Sequence, residues 1–164
     1  MSGELLHTPA EIIAKMLVDL GMADYPENDG LTGWVVFPTK MPELPEQVIA
    51  VIDTVGRLHR RMHVTGVIGE HYGIQFLVRG ANAPVTSYKK CKELMHFLDT
   101  EVNRETVVLT DEDTEYEYTY RVNAVTRTSV TFPAGRDGAR FLHSGNAIAS
   151  IELVSSETGT GTGS

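Results

Sequence analysis

His59 and His63 stand four residues apart, the spacing that would place two imidazoles on one helix face as metal ligands. Arg60, Arg61 and Met62 lie between them, so the glutamate of a zinc-protease motif is missing and two cations oppose a divalent ion. The segment also lacks helical periodicity, and solvated loop histidines are the expectation. Asp111, Asp113 and Glu115 alternate like the start of a calcium loop. The sixth position is Tyr116 where that loop needs glycine, and the twelfth is Val122 where it needs a bidentate glutamate, so a plain acidic hairpin turn is expected. A catalytic thiol needs access and a basic partner. Cys91 instead sits on the apolar stripe of a predicted helix, which points to core packing. Gly66, Gly69 and Gly73 do not follow the GxGxxG pattern, and no helix opens behind them to cradle a phosphate. Ser144, in His143-Ser144-Gly145, lacks the GxSxG elbow of a hydrolase. No pair of carboxylates stands above the general acidity. These patterns argue against an enzyme and call for no cofactor and no metal, although a triad assembled from distant residues leaves no such local trace.

The elements that would hold any site belong to an ordinary globular chain. It has 164 residues, 41% apolar and 22% charged, which suits one domain burying roughly two-thirds of its unfolded surface. The longest apolar run, Val48–Ile52, is far short of the ~20 residues that span a bilayer. Met1-Ser2-Gly3-Glu4 shows neither the basic region nor the apolar stretch of a signal peptide. A lone cysteine forms no internal disulfide, and assembly in a reducing cytoplasm is expected. The net charge of −8 opposes a surface built to grip phosphates. It suits a wall past which DNA slides without specific binding.

Thr8-Pro9-Ala10-Glu11 reads as a capping box with proline at the first helical position, and Gly21 as the stop. Ile12, Ile13, Met16, Leu17 and Leu20 give this helix one apolar stripe. Gly33–Phe37 reads as a strand stopped by Pro38, followed by the stiff connector Thr39–Glu46. Gln47–Thr54 is a second strand, apolar on both faces and hence central, closed by Val55–Gly56. Residues 72–79 alternate with a period of two. A second helix, capped by Thr86 or Ser87, carries Tyr88, Cys91, Met95, Leu98 and Val102 at helical spacing. Lys89, Lys90 and Lys92 crowd its first turns against the helix dipole, which predicts an acidic neighbour. Thr106–Leu109 and Tyr116–Val122 flank the acidic turn, Val125–Phe132 extends or pairs with the latter, Pro133–Gly138 is a turn, and Ala147–Val154 is the last strand. The expected fold is α+β, a mainly antiparallel sheet with two helices on one face, forming a single domain over residues 1–154. Residues 155–164, rich in Gly, Ser and Thr, form a flexible tail.

Arg57–His63 is a basic island in an acidic chain, read as part of a protruding loop or hairpin arm. A solvated loop is the common fate of such clusters. Arginine and methionine are also enriched at interfaces, and pairing of this arm with the acidic stretch Asp111–Glu117 would give a head-to-tail contact of the kind that closes rings. On that reading Arg57, Arg60, Arg61 and Met62 are arm contacts, with Arg79 beside them at a sheet edge.

Several segments, in their order and spacing, are similar to the tail terminator proteins of long-tailed bacteriophages, also labelled phage minor capsid proteins. They are Leu17-Val18-Asp19-Leu20-Gly21, Lys40-Met41-Pro42-Glu43-Leu44-Pro45, the strand Val48–Thr54, and Tyr72–Gly80 followed by the helix near Tyr88. The Arg140–Asn146 stretch completes the match, which covers approximately Pro9–Val154. The resemblance implies an α+β structural protein of the virion, without enzyme activity or cofactor. Six copies would form a ring that caps the tail tube, with the major tail tube protein and a head-completion or neck protein as partners. The alternatives are another head–tail connector, or a small non-viral ligand-binding domain.

Overall fold

The computed structural model describes residues 5–28, 32–58, 70–80 and 83–158. Helix α1 spans Pro9–Asp19, and its start is the predicted capping box: the Glu11 amide donates to the Thr8 hydroxyl, and the Glu11 carboxylate accepts from the Thr8 amide. Gly21 follows with φ of 76°, the left-handed conformation that ends helices without a side-chain penalty. Ile12, Ile13, Met16 and Leu17 are buried, as the stripe requires.

Among the described residues seven strands follow: β1 (Val35–Pro38), β2 (Val48–Leu58), β3 (Glu70–Arg79), β4 (Glu105–Thr110), β5 (Tyr116–Arg127), β6 (Phe132–Asp137) and β7 (Arg140–Thr158). Helix α2, Pro84–Glu101, lies between β3 and β4. The strands form one sheet in the order β1-β2-β3-β7-β5-β4, with β6 also on β7. Every pairing is antiparallel except β1 with β2. Helix α1 packs on β1 and β2 near one edge of this order and on β4 at the other. The sheet is therefore curled, with both edge strands brought to the same helix. Helix α2 packs on β3, β5 and β7, and residues of both helices share one apolar core with Ile49, Ile74, Phe76, Tyr120 and Val122. The expected α+β class, mainly antiparallel with two helices on one face, is the observed one.

Edge strand β1 is closed to further pairing by its own chain. The Val36 amide donates to the Asp24 carbonyl, and Pro38 has no amide to offer.

Several boundaries differ from the sequence expectation. Strand β2 does not close at Val55–Gly56 but continues to Leu58, with a register shift between Thr54 and Arg57. It is apolar on both faces, with Val48, Ile49, Ala50 and Val51 all buried. Helix α2 begins at Pro84 with Ala83 as its N-cap and no side-chain cap, so Thr86 and Ser87 lie inside it. Residues 133–137 belong to β6 rather than to a turn, because β7 offers them a hydrogen-bonding edge. The last strand starts at Arg140 and runs to Thr158, so the tail boundary at 155 is also corrected: Ser155 pairs with Thr119 and Thr158 with Tyr116. Small polar residues take strand geometry when a partner strand satisfies their backbone groups.

Among the lysines of α2, Lys90 is buried. Its ammonium donates to the Met22 carbonyl at 3.1 Å, stands 3.8 Å from Glu93, and lies over the Trp34 ring. Desolvation lowers its pKa, and Glu93 and Asp24 act against that shift. The acid paired with Lys90 is Glu93 of the same helix, and among the described residues no ion pair joins Lys89 or Lys92.

Candidate assembly surface

Of the groups singled out for chemistry, Cys91, Ser144 and the acidic turn take structural places, and Gly66 and Gly69 lie outside the described residues. Cys91 is fully buried, and burial pushes its thiol pKa up to about 11, so it stays protonated. Ser144 is buried on β7, where its hydroxyl donates to the Phe76 carbonyl and receives the Gln75 side-chain amide. His59 and His63 lie outside the described residues. Asp111, Asp113 and Glu115 form the β4–β5 turn, in which the Asp113 amide donates to the Asp111 carboxylate and Glu115 takes a φ of 60°. Among the described residues, no group of three or more His, Cys, Asp or Glu could hold a metal ion. No helix there is long and apolar enough to cross a membrane.

One pair escaped the sequence reading. Ser87 in the first turn of α2 and His143 on β7 place Oγ and Nδ1 2.8 Å apart, with the Tyr88 ring edge-on to the imidazole. Both residues are buried, and among the described residues no carboxylate stands on the other ring nitrogen. The pair fastens the uncapped end of α2 to the sheet. Nearby, a β-carbon added at Gly80 would sit 2.7 Å from the Ser87 amide nitrogen, which shows how closely the chain turns here.

Burial lowers the pKa of His143 below its usual 6.5. Between pH 6.5 and that lower value the unfolded chain takes up a proton the folded chain refuses. Stability should therefore fall as pH drops through this window and be fully retained above it. Urea midpoints between pH 7.5 and 5 should show that slope reduced in His143→Gln; an unchanged slope would assign the dependence elsewhere.

Of the five residues expected at an interface, Arg79 is placed most clearly, and the expectation was wrong. It lies not at a sheet edge but on β3, between β2 and β7, and is only 1% exposed. Its guanidinium binds the 42–46 connector: Nη1 donates to the Pro42 carbonyl at 2.6 Å, Nη2 to those of Glu43 at 3.0 Å and Pro45 at 2.5 Å, and Nε to that of Glu46 at 3.3 Å. Asp137 lies 3.1 Å from Nη1 and also receives Arg140, which reaches the Glu43 carbonyl at 2.7 Å. Two arginines thus pin a proline-rich strap across the sheet. Desolvating a cation is tolerable when every donor has a partner, and a planar fork reaches several carbonyls at once.

Arg57 lies in β2, whereas Arg60, Arg61 and Met62 lie outside the described residues. The strands carrying this segment still fix where it leaves the fold. Strand β7 is antiparallel to both β3 and β5, so β3 and β5 run the same way. On β7 the start of β3 lies opposite Ser150, where His71 pairs, and the start of β5 lies opposite Thr158, where Tyr116 pairs. The arginine-rich β2–β3 connection and the acidic β4–β5 turn therefore leave their strands in the same direction but at different levels of the sheet.

Beside that turn, where the curled sheet brings β4 towards β1 across α1, there is a cleft of about 480 Å³. Tyr25, Tyr118 and His7 give it aromatic walls; Glu11, Asp111, Glu112 and Asp113 give it carboxylates. None of the four carboxylates makes an ion pair among the described residues. The Tyr25 pKa is pushed up to about 12, first by burial and then by Asp19 and Glu27, which lie outside the cleft, with Glu11 last. Tyr120 supports the floor: its hydroxyl accepts from the His7 amide at 3.1 Å and lies 2.7 Å from His7 Nδ1.

No protein-family model matches the chain, and no curated protein matches it either.

Proposed function

We propose that this protein is a structural subunit of a long-tailed phage virion, a tail terminator that closes into a six-membered ring. The ring caps the tail tube and meets the head-completion or neck proteins, and DNA passes through its lumen without specific binding. The reading assigns the chain no catalysis and no cofactor, and places it at the head-proximal end of the tail after assembly in the host cytoplasm.

The observation that carries this reading concerns the segments that resemble the terminators. The strap Lys40–Pro45, strand Tyr72–Gly80 and stretch Arg140–Asn146 are far apart in the chain, yet Arg79 and Arg140 bind all three together. That these segments meet in one structural unit supports the reading. The net charge of −8 adds to it, since an acidic wall repels phosphates.

The test is the mass of the purified chain by light scattering over a wide concentration range. A species near six times 18.0 kDa is expected at high concentration, weakening as added salt screens exposed charges. A single chain at every concentration and ionic strength would overturn the proposal.

A further inference from the structure

We propose that the cleft between α1 and the β4–β5 turn is the socket for the arginine-rich segment 57–63 of a second copy of this chain. This rests on the ring reading above and names the surfaces that would join its subunits.

The cleft has the chemistry of a guanidinium site rather than of a metal or anion site. Its carboxylates come from two elements: Glu11 from α1, and Asp111, Glu112 and Asp113 from the turn. An arginine pairs in the plane of its fork with a carboxylate and stacks its face on an aromatic ring, and Tyr25 and Tyr118 supply the rings. Leu6 and Leu109 add apolar lining. A hydrated divalent ion gains nothing from such walls. The opposing segment, Arg-Leu-His-Arg-Arg-Met-His, alternates cations with apolar side chains in the same mixture.

Charge favours a second copy as the occupant. The chain carries 22 acidic and 14 basic residues, and against that balance residues 57–63 hold three arginines, two histidines and no acid. The segment and the cleft carry opposite charge and belong to different strand connections. A contact joining two different surfaces of identical subunits is heterologous, and it closes into a ring when the rotation between neighbours permits.

The experiment uses two charge-swapped forms of the full chain, Arg60→Glu with Arg61→Glu, and Glu112→Lys with Asp113→Lys. Glu11 is left intact because it caps α1. Each form alone should lose the assembled species at concentrations where the wild type assembles, with affinity weakened about tenfold or more, as for other close interfacial charge pairs. Mixed in equal amounts, the two forms should assemble again, because acidic arms then meet lysine sockets and basic arms meet acidic ones. Circular dichroism and the urea midpoint of each form establish that it is folded.

If the wild type assembles and the turn variant assembles equally well, the socket assignment is wrong while the ring reading stands. If both variants fail and the mixture does not recover, the two surfaces do not meet between copies. Recovery only when all four changes share one chain would show the contact to be internal, and the proposal would fail. A wild type that never assembles would overturn the ring reading itself.

Discussion

Arg79→Ala should unfold at a much lower denaturant concentration than the wild type, with a loss of about 3–5 kcal/mol, as for other broken buried charge networks. The change removes the donor that satisfies the carbonyls of Pro42, Glu43, Pro45 and Glu46 and leaves Asp137 to Arg140 alone. Each orphaned acceptor costs roughly 1–3 kcal/mol unless water replaces the lost donor. Water can enter only if the strap lifts, so limited proteolysis should cut within residues 39–47 of the variant before the rest of the domain is attacked. Arg79→Lys should recover little of the loss, since an ammonium on a flexible stem cannot reach four carbonyls from one plane. Equal stability of Arg79→Lys and wild type in urea would contradict this account of the clamp. The strap also holds Leu44, 67% exposed, beside an apolar groove of about 550 Å³ lined by Pro26, Val35, Phe37, Pro45 and Glu46, and that groove should open with it.

The second large effect is expected at Phe76. This residue is fully buried in β3, opposite Val51 on β2 and Gly145 on β7. Gly145 has no side chain because Met95 of α2 occupies its place: an added β-carbon would lie 2.8 Å from the Met95 sulfur. Phe76 and Met95 therefore share the centre of the core, where helix meets sheet. Phe76→Ala should cost about 3–5 kcal/mol, the range for emptying an aromatic site whose surroundings cannot collapse. Flanking β-strands hold their backbone through ladders on both sides, so little relaxation is available. Phe76→Leu should cost clearly less. A urea midpoint for Phe76→Ala within error of the wild type would mean the core is not as tightly filled as the buried residues around it imply.

Both predictions concern what holds the subunit, while the charge swaps concern what joins subunits, and the two sets should separate experimentally. Surface reversals in a turn change assembly with little effect on the urea midpoint, because exposed charges contribute little to folding. Loss of the clamp or of the Phe76 ring shifts the midpoint first.

Much of the fold was legible in the residues. Helix α1 is specified by contacts within one turn, the Thr8–Glu11 box and Pro9 inside it, so its start needed no partner. The alternation in β3 and the apolar run of β2 reflect the faces they bury, and the core cysteine follows from its place on the stripe of α2. The same holds for the acidic β4–β5 turn, whose hydrogen bonds close locally.

What the sequence alone could not decide depends on residues far apart along it. Strand β6 and the extension of β7 to Thr158 exist because other strands complete their hydrogen-bond ladders, a condition that composition does not record. Arg79 reads as a surface cation by type and becomes a buried clamp only because the 42–46 strap delivers carbonyls to it. Ser87 and His143 meet across 56 residues, and the cleft exists only because curling brings both sheet edges to α1. Local hydrogen bonding and periodicity are written in neighbouring residues; desolvation and long-range pairing are decided only when the chain has folded.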